Sequence, residues 1–262
     1  MKKIFFGLLI TLFALNVSAT GVIVLEGHYQ GKNLYVQNPF AGSGVGFCTF
    51  EVTINGEVTT DEVNSSAFEI DFANFQMKVG DPVIVKIKHK DDCKPKVLNP
   101  EVLKPKSTFE IVAMKISTDG NFDWTTKSET GKLTFIVEQF RWNKWIKVGE
   151  VDGNGTTAEN SYQFKITPHS GENKFRVKQI DYSGKPRYSQ ASRFISPLGE
   201  ISFSPIKAKI DVNFTGETLF EVYDSYGNIV KKGFGEKVDV SNLKKGIYYL
   251  NYDNKTETFV KK

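Results

Sequence analysis

The 262-residue chain carries 34 lysines and arginines against 30 aspartates and glutamates, a balance that supplies no concentrated basic surface of the kind that displaces counterions from nucleic acid. Its three histidines, His28, His89 and His169, and its two cysteines, Cys48 and Cys93, are scattered without ligand spacing, so neither a metal cage nor a cofactor is implied.

At the N-terminus Lys2 and Lys3 precede the apolar run from Ile4 to Leu15, and Val17-Ser18-Ala19 offers small residues at a cleavage position. This is the pattern of a secretory signal peptide over residues 1–19. Cleavage near Thr20 takes Lys2 and Lys3 away and leaves 32 basic residues. The run is shorter than the roughly 18 apolar residues that mark a spanning helix, and no later segment approaches that length. No cysteine follows the cleavage position to accept a lipid. The expectation is an exported soluble chain that meets a membrane only through a protein partner.

The remainder is rich in aromatic and β-branched residues, with 21 Phe and 10 Tyr, and turn residues recur at short intervals. No segment sustains a 3.6-residue apolar period, so the chain reads as all-β, with three consecutive small sandwiches after the leader. The first covers residues 20–106. "GVIVLEG" opens it with a continuous apolar run suited to a strand buried on both faces. Asn55-Gly56 marks a tight hairpin turn, and in "DPVIVKIKHK" Val83, Val85 and Ile87 alternate with lysines. The stretch from Lys86 to Lys106 is the most basic of the chain and reads as a solvated edge strand followed by a linker with Pro95, Pro100 and Pro105. The glycines at 42, 44 and 46 lack the lysine and the helix that a phosphate loop needs. Cys48 and Cys93 are expected to pair, because disulfides persist in the oxidising compartments an exported chain reaches.

The second sandwich covers residues 107–196. Seven strand-like runs succeed one another, "FEIVAMKI", "GNFDWTT", "GKLTFIVEQF", "KWIKVGEV", "NSYQFKI", "NKFRVKQID" and "RYSQASRF". Trp124 is the expected core marker. Trp142 and Trp145 in "RWNKW" are three apart, which on a strand sends them to opposite faces, one a possible platform and the other core. Trp124-Thr125-Thr126 with Ser128-Glu129-Thr130, Phe135-Ile136-Val137-Glu138, Val148 to Val151 with Gly153-Asn154-Gly155-Thr156, and Phe175 to Asp181 ending at Gly184 form an ordered series. It resembles the fibronectin type III-like domain that precedes the C-terminal domain in proteins of the bacterial type IX secretion system.

The third sandwich covers residues 197–262. Val238-Asp239-Val240-Ser241-Asn242-Leu243, Gly246, Tyr248 and the close from Phe259 through Lys261 and Lys262 resemble the type A C-terminal sorting domain of type IX cargo. The resemblance implies sorting or docking roles for Asp239, Ser241, Leu243, Gly246, Tyr248, Phe259, Lys261 and Lys262. The family's opening Y-P-N-P is missing, and Pro205 alone stands in its place. A closing strand can pair with another sheet edge or be gripped through its backbone. On that strand Ile247 and Tyr249 form one face, Tyr248 and Leu250 the other.

No G-x-S-x-G elbow is present, and no histidine sits beside a nucleophile. Carboxylates such as Glu129 and Glu138, or Asp123 and Asp181, could form a glycosidase pair across a cleft, and solvent-facing acids on a sandwich explain them equally well. The expectation is a protein that is not an enzyme, needs no cofactor and takes no nucleic acid. Two placements follow from the resemblance. The favoured one is a plug-like interaction protein docking on the outer-membrane type IX translocon from the periplasm. The alternative is cell-surface cargo with a small adhesive or carbohydrate-binding N-terminal module.

Overall fold

The computed structural model describes residues 20–262; the signal peptide read at residues 1–19 lies outside the described residues. The described chain is built almost wholly of β-strands and falls into two compact units. One holds residues 20–27, 31–78 and 82–103, and the other holds 28–30, 79–81 and 104–262. No described helix is long and apolar enough to cross a membrane.

The first unit contains β1 (Thr20–His28), β2 (Leu34–Gln37), β3 (Thr49–Ile54), β4 (Glu57–Val58), β5 (Ala67–Ile70), β6 (Pro82–Lys90) and β7 (Lys96–Val97). They form a sheet in the order β1-β6-β3-β4 and a second in the order β5-β2-β7. Alternation decides what is inside: Val83, Val85 and Ile87 of β6, Val52 and Ile54 of β3, and Leu34 and Val36 of β2 are all buried. Asn55 and Gly56 take φ of 50° and 93° in the two-residue β3–β4 turn, as the Asn-Gly pair requires. Cys48 and Cys93 are joined, with Cα atoms 5.8 Å apart, tying the start of β3 to the segment after β6.

Two readings of this unit are corrected. β1 is not buried on both faces: it is a sheet edge, and Val22 and Val24 point to solvent while Ile23 and Leu25 are half-buried. The basic strand β6 is not an edge, since it lies between β1 and β3 with its lysines on the outer face. The proline-containing segment that follows is built into the fold rather than left as a linker. β7 pairs with β2, and a 3-10 turn over Pro100–Leu103 buries Leu103.

The second unit holds two cores. The seven runs read between residues 109 and 194 become β8 (Glu110–Ile116), β9 (Asn121–Lys127), β10 (Thr134–Arg141), β11 (Lys144–Asp152), β12 (Asn160–Lys165) and β13 (Gly171–Ile180), followed by a run that divides into β14 (Pro186–Tyr188) and β15 (Ser192–Ser196). A sheet in the order β11-β10-β13-β14, with β15 also on β13, faces a sheet in the order β12-β9-β8. Trp124 is buried between them, stacked on Tyr162 and edge-on to Phe135, with Phe122, Val137, Phe175 and Val177 around it. This middle module ends at Ser196.

The C-terminal module contains β16 (Phe203–Ser204), β17 (Lys207–Ala208), β18 (Asp211–Tyr223), β19 (Ile229–Asp239), β20 (Gly246–Tyr252) and β21 (Lys255–Lys261). Its order is β16-β18-β20-β21-β17, with β19 on β18. The register of β18 against β19 slips between Asn213 and Thr218, so the long pair bends and covers its own core. Val212, Phe214, Phe220, Val222, Val240, Tyr248, Leu250, Tyr252 and Phe259 fill that core.

Candidate functional site

The residues singled out in the C-terminal module serve mainly to build it. Asp239 closes β19, and its carboxylate accepts the Ser241 N–H at 2.8 Å; the Ser241 hydroxyl and N–H together hold it below the usual carboxylate range. Leu243 packs on the core. Gly246 opens β20 at φ 157°, a region that L side chains rarely adopt. Tyr248 stacks on the fully buried Phe259 at 5.5 Å and donates its hydroxyl proton to the Lys244 carbonyl. Lys261 is buried, with its ammonium on the Lys262 carbonyl, and the Lys262 N–H reaches Ala208 at 2.9 Å.

The exposed face of this module is a different set. Ile247 is 60% exposed and Tyr249 47% exposed on the outer face of β20, opposite buried Tyr248 and Leu250, as the alternation implies. The terminal strand is covered on both sides at its C-terminal end. β21 is paired along its length with β20 and, at Val260 and Lys261, with β17. Among the described strands of this module β16, β17 and β19 each pair with one neighbour, and β19 is the longest of the three.

A second feature went unread in the sequence. The Tyr252-Asp253-Asn254-Lys255 turn joining β20 to β21 is inserted against the middle module. Asp253 is fully buried at φ 46°. Its carboxylate accepts the Ser170 N–H at 2.8 Å and the Ser170 hydroxyl, and its own N–H donates to Thr218 at 2.8 Å. Trp142 donates its backbone N–H to Asn254 at 3.2 Å and its indole N–H to the Tyr252 carbonyl at 3.4 Å. Lys144 meets the Glu221 carboxylate at 2.7 Å and the Tyr223 hydroxyl at 2.8 Å. Partial burial works against both charges. The hydrogen bonds to Glu221 and Tyr223 nevertheless raise Lys144, and those from Lys144 and Tyr223 lower Glu221.

Behind the turn lie two buried cationic or titratable groups. Burial pushes the Arg141 guanidinium down to about 10, with Asp253 opposing the shift; it is still charged at neutral pH. His169 is 2% exposed, and burial first, then Arg141, lowers its pKa. Its Nδ1 lies 2.6 Å from the Ser170 carbonyl and so carries the proton, leaving Nε2 bare and unpartnered. Clefts of about 580 Å³ and about 250 Å³ flank the junction.

Trp142 and Trp145 are not the strand pair the sequence implied. Arg141 and Lys144 pair across a two-residue turn in which Trp142 and Asn143 take φ of 54° and 57°, so Trp142 reaches the C-terminal module instead of a strand face. Trp145 lies outside the core, where the Arg176 guanidinium is 4.1 Å from its ring and 4.1 Å from that of Tyr188. The acidic candidates are scattered. Buried Glu129 accepts from the Thr126 hydroxyl, Tyr162 at 2.7 Å and the Gly155 N–H at 2.8 Å. Glu138 pairs with Arg176 at 2.7 Å and with Lys178, Asp123 accepts from Gln163, and Asp181 caps the turn at Ser183. No group of three or more metal-ligating side chains occurs among the described residues.

Residues 204–262 match the family described as the secretion system C-terminal sorting domain. No curated protein matches the chain. Among solved structures the chain is similar to the tetra-tandem repeat in the extending region of a large adhesion protein. The identity is 11%, the coverage 93% of this chain and 75% of that one, and the TM-score 0.30. It is also similar to the FN1–FN3 domains of chicken CNTN1, at 10% identity, with 91% and 98% covered and a TM-score of 0.26.

Proposed function

We propose that the chain is a protein exported across an outer membrane by a type IX secretion system, with residues 204–262 as its sorting domain and the preceding sandwiches as the delivered, non-catalytic part at the cell surface. The observation that carries this reading is the family match over residues 204–262. It begins at Ser204-Pro205; the missing Y-P-N-P opening and the lack of a visible effector favour a periplasmic plug-like component in the sequence, and the match supports the cargo reading over it. A leader pattern at residues 1–19 agrees with export. The delivered part is read as a binding module, since its buried acids are occupied in holding the middle sandwich together.

The test is fractionation of cells expressing the full chain or a chain ending at Gly199. Full-length protein should become accessible to protease added outside intact cells, and the shortened protein should accumulate in the periplasm. Surface display unchanged by the deletion would overturn the proposal. An intact mass ending at Lys262 and confined to the periplasm would favour the plug-like reading.

A further inference from the structure

We infer that the middle module carries a built receptor for the Asp253-Asn254 turn, so that the middle and C-terminal modules stay together as a complex when the connector between them is cut. The charges are complementary across the junction. Arg141 and Lys144 stand on the middle module, and Asp253 and Glu221 face them. The directional contacts come from side chains and backbone fixed by their own strands: Trp142 and Lys144 at the β10–β11 turn, and Ser170 just before β13. Each module also has its own core, so each retains its shape on its own side of a cut.

The connector contributes little to this arrangement. Pro197, Leu198, Gly199 and Glu200 are all exposed. Its polar contacts are the Leu198 N–H to Ser196 at 3.2 Å, the Ile201 N–H to Asp253 at 3.4 Å and a Glu200–Lys255 ion pair at 2.7 Å. Ser170 holds the same Asp253 carboxylate by a shorter bond from its N–H and a second from its hydroxyl. Cutting the chain here removes covalent linkage, and with it a high effective concentration, but none of the contacts from Ser170, Trp142 or Lys144. A protease acting on this connector would leave the C-terminal module seated until the clamp opened.

The inference concerns the isolated protein and stands or falls apart from the export reading. The experiment replaces residues 197–200 in the full chain with a site for a specific protease, cuts it, and follows both pieces by size-exclusion chromatography and circular dichroism. Co-elution of the two pieces is expected. Their dissociation should become at least tenfold easier in the Ser170→Ala and Lys144→Ala variants and with rising salt, because the clamp is charged. Lys144 is partly exposed, so its variant tests the clamp even if Ser170→Ala disturbs the fold. Separation of folded wild-type pieces at low salt would overturn the inference. So would pieces of both variants that hold together as tightly as wild type.

Discussion

At the scale of single residues, burial of His169 predicts an acid-sensitive junction. Its imidazole is buried within the electrostatic reach of Arg141 and Asp253, and Nδ1 is hydrogen-bonded to the Ser170 carbonyl. A second proton would fall on Nε2, which has no hydrogen-bond partner; burial and the nearby guanidinium charge disfavour it, against weaker opposing contributions from the Ser170 and Phe140 backbone and Asp253. The unfolded chain takes up that proton near the ordinary value of about 6.5, and the folded chain resists until a lower pH. The stabilisation is therefore complete above pH 6.5 and declines as pH falls from there through the depressed folded value. His28 is lowered too, by burial and Lys132, and acts in the same direction. Urea unfolding between pH 8 and pH 5 should show stability falling below pH 6.5, with a smaller fall in His169→Asn. Parallel curves for the two proteins would remove His169 from the account. Glu129 makes a related point about what a motif encodes: in the sequence it reads as half of a carboxylate pair with Glu138 or as a solvent-facing acid, and the second reading is corrected, since both side chains are buried. In the fold it gathers Thr126, Gly155 and Tyr162 around one buried carboxylate, where losing it would strand buried donors.

At the scale of elements, β21 decides whether the last sixty residues are a label or a domain. It supplies Phe259, fully buried against Tyr248, and the hydrogen-bonded neighbour of all of β20. Deleting residues 255–262 exposes that core and leaves β20 without one partner. A module this small has little stability to spare, and loss of a buried phenylalanine alone removes about 3–5 kcal/mol. Hydrogen exchange should then show protection lost across β18 to β20 but kept in β9, β10 and β13. Persistent protection in β18 and β20 would show that the closing strand is dispensable to the fold. The faces of these strands were legible beforehand, because alternation alone turns Tyr248 and Leu250 inward and Ile247 and Tyr249 outward. Neighbours were not. Alternation carries no information on which strand lies beside which, so from sequence β1 reads as buried on both faces and β6 as an edge. "RWNKW" likewise misled as a strand because its turn uses Trp142 and Asn143 at positive φ, where Gly or Asn-Gly is the usual sign. The contact of Ser170 with Asp253 lies 83 residues apart in the chain, and no local pattern announces it.

At the scale of the whole molecule, the two compact units draw their stability from different sources. The second has two aromatic cores and a polar clamp, with no cysteine in it. The first combines one largely aliphatic core with the Cys48–Cys93 bridge, which closes a sequence separation of 45. On the chain-entropy account a loop of that length is worth about 4 kcal/mol, a large share of what holds a domain of this size. Reduction should therefore act on one unit alone. Under a mild reductant, or in a Cys48→Ala/Cys93→Ala variant, calorimetry should show the transition of the first unit moved to lower temperature and that of residues 104–262 unmoved. If both transitions shift together, the units unfold as one cooperative body, and the bridge contributes to the stability of both.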